Sequence, residues 1–307
     1  MPVIIPKGLP AEEVLKDDGI FVITESRATT QDIRPLKVGI LNLMPTKEAT
    51  EIQLIRRLSN TPLQIDLDLI HTETYKSKNT DTSHLERFYK TFTQIKNNKY
   101  DAFIITGAPV ENLEYDEVVY WDELKKILDY IEHNVYSTMF ICWAAQAALF
   151  HYYGIEKHQT DEKIFGIYKY SPLAKSPLVR GFDDEFDMPQ SRYTYNCITD
   201  LDKIDDLVVL ADRADTGINI AATKDNRLVF VTGHWEYDAD TLHREYIRDI
   251  DKGLNTKMPI NYYIDDDVDN GISANWRAHG NLFFSNWLNY CVYQETPYDI
   301  LSIGKRN

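Results

Sequence analysis

The run Thr138-Met139-Phe140-Ile141-Cys142-Trp143-Ala144-Ala145-Gln146 decides the fold. Its first four residues suit a buried strand, and the small residues beyond Cys142 open a helix over residues 144–153. Upstream, residues 121–134 place Leu124, Ile127, Leu128 and Ile131 on one helical stripe. Residues 100–106 before them form a short apolar strand that ends at Gly107. The cadence is strand, helix, strand.

The same cadence continues toward the N-terminus. Residues 37–44 read as a mostly apolar strand, and residues 48–58 as a helix with Ile52, Ile55 and Leu58 every third position and Leu54 widening the stripe. Residues 63–70 alternate apolar with polar, and residues 84–95 suit a helix. Such alternation predicts an α/β fold: a doubly wound, mostly parallel sheet covered by helices on both faces, with right-handed crossovers. Residues 207–211, 217–223 and 227–232 differ, reading as antiparallel strands at the sheet edge with Lys224-Asp225-Asn226 as a turn.

With 307 residues the chain is long enough for one large domain or two modest ones. It shows no internal repeat and no Ser- or Gly-rich linker, so a single domain over residues 1–307 is expected, its segment 1–35 leading into the α/β core. Twenty tyrosines, twelve phenylalanines and five tryptophans argue for a packed interior. The net charge of −15 is spread along the chain and would repel a phosphate backbone or an anionic membrane, so neither is an expected partner. The cysteines Cys142, Cys197 and Cys291 lie far apart without a CxxC pair, which argues against a disulfide framework and against a structural metal site. The N-terminus lacks the pattern of a signal peptide, and a cytoplasmic location is expected.

Ligands of doubly wound sheets sit beyond the carboxyl ends of the strands. Three such ends are chemically rich: residues 44–47, residues 107–111 and Cys142. A thiol where a strand turns into a helix faces unpaired amides that favour a thiolate and can hold an oxyanion. A lone cysteine is more often a buried core residue, so position alone leaves the two readings level. His234 and Glu236 follow the strand at 227–232; residues two apart on extended backbone point the same way, so an imidazole base with a carboxylate behind it is expected near the thiol. Lys47 and the Thr106-Gly107-Ala108-Pro109 turn could add a cation and amides, although a first-turn lysine is usually solvated. His243 and His279 suggest no role.

Several longer strings carry a family resemblance. Asn42-Leu43-Met44-Pro45-Thr46-Lys47, Thr106-Gly107-Ala108-Pro109-Val110-Glu111, Phe140 to Gln146, Lys163-Ile164-Phe165-Gly166, Pro189-Gln190-Ser191-Arg192-Tyr193, His234-Trp235-Glu236-Tyr237-Asp238 and Trp276-Arg277-Ala278-His279-Gly280-Asn281 stand in this order over nearly the whole chain. Together they resemble the homoserine O-acyltransferases that first acylate a cysteine, a family with a class I glutamine amidotransferase-like fold. The resemblance implies that Cys142 takes the acyl group as a thioester, His234 is the base, Glu236 supports it, and Lys47 helps hold the oxyanion. It also implies that Lys163, Ser191 and Arg248 bind L-homoserine, and Arg248 has the fork that suits a carboxylate.

In this resemblance Glu111 sets the donor. Relatives that use succinyl-CoA carry glycine there, whereas a glutamate fills space and repels the distal carboxylate of a succinyl group, leaving acetyl-CoA. The expected activity is acetyl transfer from acetyl-CoA to homoserine in methionine biosynthesis, with acetyl-CoA as co-substrate, no resident cofactor or metal, and a homodimer at the family level. Two departures stand out. Trp235 lies between the His and the Glu where a proline or smaller residue is more usual, and is expected to point away from them. Phe140 and Ala144 replace the glycines that flank an amidotransferase nucleophile, which weakens a glutaminase reading. Succinyl transfer, amide hydrolysis by the same three residues, and a binding module with a decayed site are the competing readings.

Overall fold

A computed structural model describes residues 3–17, 22–24, 34–75 and 80–304. Strands β1 (Val3–Ile5), β2 (Val22–Thr24), β3 (Leu36–Leu41), β4 (Ile65–His71), β5 (Tyr89–Thr91), β6 (Tyr100–Ile105), β7 (Val135–Ile141), β10 (Leu207–Arg213), β11 (Gly217–Thr223) and β12 (Leu228–Val231) build one sheet in the order β10-β11-β12-β7-β6-β3-β4-β1-β2, with β5 also on β4. Strands β8 (His158–Tyr170) and β9 (Phe186–Tyr195) pair separately as an antiparallel hairpin.

The central pairs β12 with β7, β7 with β6, β6 with β3 and β3 with β4 are all parallel, while β11 runs antiparallel to both β10 and β12. This is the expected sheet, antiparallel edge included. Strand β6 is buried at every position, as an apolar run covered on both faces must be. Alternate residues fall into two separate buried clusters: Ala102, Ile104, Met139 and Ile141 in one, Phe103, Ile105 and Phe140 in the other. Because strand side chains alternate, the clusters are the two faces of the sheet.

Helices α1 (Ala11–Asp17) and α2 (Lys47–Leu58) cover the first face; α5 (Trp121–Asn134) and α6 (Trp143–Tyr153) cover the second. The stripe read for α2 is buried at Leu54, Ile55 and Leu58, with Ile52 packed partly against the same core. The helix expected at 84–95 is instead broken: α3 (Thr82–Phe88) stops, β5 adds Tyr89–Thr91 beside β4, and a four-residue turn α4 (Phe92–Ile95) follows. Tyr89 pairs with Leu69 and sends its hydroxyl to the buried Glu51, so tertiary contacts override local helix preference there. Of segment 1–35, β1 and β2 extend the sheet, while residues 18–21 and 25–33 lie outside the described residues. Three further α-helices lie among the described residues, α7 (Ile198–Leu201), α8 (Thr241–Asp251) and α9 (Arg277–Asn286), the last running on into a π-helix at Trp287–Tyr293.

Candidate active site

The carboxyl ends of β12, β7, β6 and β3 lie side by side, since Val231 pairs with Ile141, Ile105 with Phe140, and Leu41 with Ile105. The loops that leave them therefore meet. From β7 comes Cys142, whose amide donates to Val231 O at 2.7 Å. Its φ of 54° and ψ of −120° place a non-glycine residue in a strained conformation at the N-cap of α6. That sharp turn from strand to helix lifts the thiol above the sheet edge, as the sequence predicts. Beside it, β6 ends in Gly107: a Cβ built there would stand 3.1 Å from Cys142 Cβ and 3.7 Å from Sγ, so only glycine leaves the thiol unhindered.

From β12 comes His234. Its Nδ1 is 2.6 Å from Glu236 Oε1, and the Cys142 side chain is the other group that favours its charged ring. Both His234 and Glu236 are buried. Burial of the imidazole opposes its charging, but the Glu236 carboxylate and the Cys142 sulfur outweigh it and raise the pKa of His234 to about 10. The route by which the pair meets differs from the expectation. Residues 234–237 are a turn, with Tyr237 N donating to His234 O at 3.3 Å, and not an extended stretch. Trp235 does point away: it is buried, gives its indole N–H to Asp187 O at 3.1 Å, and packs on Phe182, Phe186 and Phe283.

Around this core stand groups that sequence reasoning missed. The Tyr237 ring stacks on His234 with centroids 4.1 Å apart. Buried Arg57 of α2 donates from Nε to Trp235 O at 2.8 Å and from Nη1 to Asn281 Oδ1 at 2.6 Å. Burial lowers its pKa to about 10, with Glu236 the leading charge that favours its cationic form. Arg192 is fully enclosed and bonded to Gln190 Oε1, Thr194 O and Thr216 O; burial lowers its pKa, while Tyr170, Cys142 and Tyr168 work against that.

The β8–β9 hairpin carries the residues expected to hold homoserine. It reaches the edge that carries Cys142 through His234 N to Pro189 O at 2.9 Å and Thr194 Oγ1 to Gln146 Oε1 at 2.8 Å. Gly166 makes the seat possible: its φ is +131°, and a Cβ there would meet the backbone N and O of Ile260 at 2.4 Å. Lys163 Nζ reaches Glu245 Oε1 at 2.8 Å and Asp249 Oδ2 at 3.1 Å, and Ser191 Oγ donates to the same Glu245 oxygen at 2.7 Å. Arg248 bonds Asp249 Oδ1 at 2.7 Å and lies 3.5 Å from Glu245. Lys163, Ser191 and Arg248 thus converge, and their meeting point is a pair of acids on α8, Glu245 and Asp249, that the sequence analysis did not single out. The signal was the spacing Glu245, Arg248, Asp249 on one helical face.

Glu111 is half-buried, and burial raises its pKa; Glu245 pushes the same way, while Lys163 and His234 oppose. Its charge therefore interacts with the site's own residues. Lys47 is buried at the start of α2 and gives its ammonium to the carbonyl oxygens of Asn42 and, at 3.3 Å, Met44. It stands at the end of β3, two strands from Cys142, and outside the hydrogen-bonded pair of His234 and Glu236. A cleft of about 280 Å³ opens beside Tyr237, bounded by Met44, Thr46, Gln53, Glu245 and Arg248. Among the described residues no cluster of His, Cys, Asp or Glu has metal-binding geometry, and no helix is long and apolar enough to cross a membrane.

A parallel sheet with a strained cysteine at a strand-to-helix turn and a His–Glu pair from the next strand defines a glutamine amidotransferase-like α/β fold. A glutamine amidotransferase from Thermotoga maritima shares that fold: TM-score 0.55 at 11% identity, covering 83% of this chain and 98% of that one. The chain belongs to the homoserine O-succinyltransferase family, whose description matches residues 2–298. It is 54% identical to homoserine O-acetyltransferase 1 of Ilyobacter polytropus over 97% of this chain and 99% of that protein. It is 55% identical to the homoserine O-acetyltransferase of Methanomassiliicoccus intestinalis over 99% of this chain and 100% of that protein.

Proposed function

We propose that the chain is a homoserine O-acetyltransferase that works through a Cys142 thioester. The observation that carries this reading is the His234–Glu236 pair beside Cys142, together with Lys163, Ser191 and Arg248 gathered on Glu245. The thiolate of Cys142 attacks the acetyl-CoA carbonyl, and the oxyanion is met by backbone amides and the Lys47 ammonium. The tetrahedral centre then expels CoA, which takes its proton from the His234 imidazolium. Neutral His234 next removes the hydroxyl proton of homoserine, the alkoxide attacks the thioester, and Cys142 leaves as thiolate. O-acetyl-L-homoserine and CoA are the products.

Homoserine carries one cation and one anion at its amino-acid end, and the site offers both complements. Glu245 suits the ammonium, and Arg248, released from Asp249, suits the carboxylate. Glu111 supports the acetyl donor, because a succinyl group would bring a second carboxylate toward one that is already partly withdrawn from water and close to Glu245. In the same reading the enzyme needs no resident cofactor, serves methionine biosynthesis in the cytoplasm and forms a homodimer. The dimer rests on the family resemblance alone.

The test is CoA release by the purified protein with homoserine and either acetyl-CoA or succinyl-CoA, beside Glu111→Gly. Preference for acetyl-CoA that relaxes in the variant is the expected result. Preference for succinyl-CoA in the unaltered protein would overturn the role of Glu111, and ammonia from glutamine without CoA release would favour the amide-hydrolysis reading.

A further inference from the structure

Beneath Lys47 lies a buried polar cluster that the acyl-transfer steps leave unused. Glu51 follows Lys47 by one turn of α2, so the two side chains share a face. Glu51 is 1% exposed. Its Oε1 accepts the Tyr89 hydroxyl at 2.6 Å and lies 2.9 Å from His84 Nε2, while its Oε2 has no hydrogen-bond partner among the described residues. The Tyr89 oxygen accepts from Asn42 Nδ2 at 3.0 Å; the same amide donates to Lys47 O at 3.2 Å, and Asn42 O accepts from the Lys47 ammonium. The contacts close a ring: Lys47, Asn42, Tyr89, Glu51 and back along one turn of helix.

We infer that Glu51 is the positioning residue for Lys47, holding the ammonium charged where the carbonyls of Asn42 and Met44 fix it, the place from which the acyl-transfer reading has it meet the oxyanion. This deepens the acyl-transfer reading and rests on it. A buried carboxylate is costly unless something pairs with it, and here the ring ties it to the one lysine that the chemistry calls on. An ammonium has three protons; Asn42 O and Met44 O take two, leaving one for an oxyanion. Burial lowers the pKa of Lys47 to about 8, and Glu51 is the charge that works against that fall. The other groups facing the cluster are Glu48 on the same helix, 3.7 Å from His84 Nδ1, and His71 on β4, whose pKa falls through burial first and the Lys47 charge also.

Only a protonated Lys47 brings a positive charge to the oxyanion, so its contribution to the rate should be full well below about pH 8 and fall as the pH rises through it, as an alkaline limb of the profile. The experiment is the pH profile of kcat/KM for homoserine-dependent CoA release from acetyl-CoA. Glu51→Gln should move the alkaline limb down by about one pH unit, since a neutral amide cannot oppose desolvation of the ammonium. Lys47→Arg should erase that limb, and adding Glu51→Gln to it should then move nothing, because a guanidinium stays charged. Tyr89→Phe removes one bond that favours the carboxylate and should shift the limb the same way by less. It serves also if Glu51→Gln fails to fold. A uniform loss of rate with the limb unmoved would reduce Glu51 to a structural residue and overturn the inference. Absence of CoA release from the unaltered protein at every pH would instead sink the acyl-transfer reading.

Discussion

Ser191 Oγ and Glu245 Oε1 are 2.7 Å apart, a bond that joins the β8–β9 hairpin to α8 across the site. Lys163 reaches the same oxygen at 2.8 Å. Glu245→Ala therefore removes the acceptor for two donors together with the carboxylate offered to the substrate's ammonium. The KM for homoserine should rise roughly 10- to 100-fold, the range of a charge-assisted hydrogen bond. The burst of CoA released without homoserine should change little, and an equal loss in both half-reactions would move Glu245 to the acyl side.

His234 should titrate near pH 10 in the free enzyme, because Glu236 and Cys142 together overcome burial. Cys142→Ser removes the sulfur that favours the charged ring, so the imidazole should lose its proton at lower pH, as NMR of the ring would record. A histidine whose folded pKa exceeds its unfolded value stabilises the fold fully below about 6.5, and that contribution fades as the pH rises through about 10. The denaturation midpoint should fall over that window, and by less in Cys142→Ser.

Gly107→Ala tests how closely the β6 loop confines the nucleophile. The new methyl would press on Cys142 Cβ from 3.1 Å and displace it by a few tenths of an ångström. CoA release should drop roughly 10-fold or more, as small misplacements of reacting atoms do, with a nearly unchanged melting temperature. Unaltered kinetics would mean that the thiol tolerates the shift.

Arg57→Leu should cost about 2–4 kcal/mol of stability, measured by denaturant unfolding. Two bonds vanish, to Trp235 O and Asn281 Oδ1, and the carbonyl between His234 and Glu236 is left without its donor. Activity should fall as well, because Glu236 loses a facing cation.

The sheet was legible in the sequence because its central strands are buried on both faces and read as apolar runs. The strand-to-helix turn at Cys142 was legible because a strand, a cysteine and a run of alanines follow one another without a gap. The β8–β9 hairpin was not: its first half alternates exposed and partly buried polar residues, and a 15-residue connection separates the strands. That hairpin carries Lys163 and Ser191, so only the family resemblance could propose them.

Other misses share a physical cause. Glu51, Arg57, Glu245 and Asp249 look like solvated helix charges until the partner elements are in place. Helix α2 buries Lys47, Glu51, Gln53 and Arg57 beside its apolar stripe, and a periodicity argument built on apolar residues passes over such positions. The approach of His234 to Glu236 was expected for the wrong reason: a turn, not strand alternation, brings them together.

The central claim is that the acyl group passes through Cys142. The most direct measurement is the intact mass of the protein after brief exposure to acetyl-CoA without homoserine, followed by peptide mapping. The account predicts one added acetyl group, on Cys142, labile to hydroxylamine and discharged when homoserine is added. Homoserine acetylation at the normal rate by Cys142→Ala, or a label that homoserine cannot discharge, would contradict it.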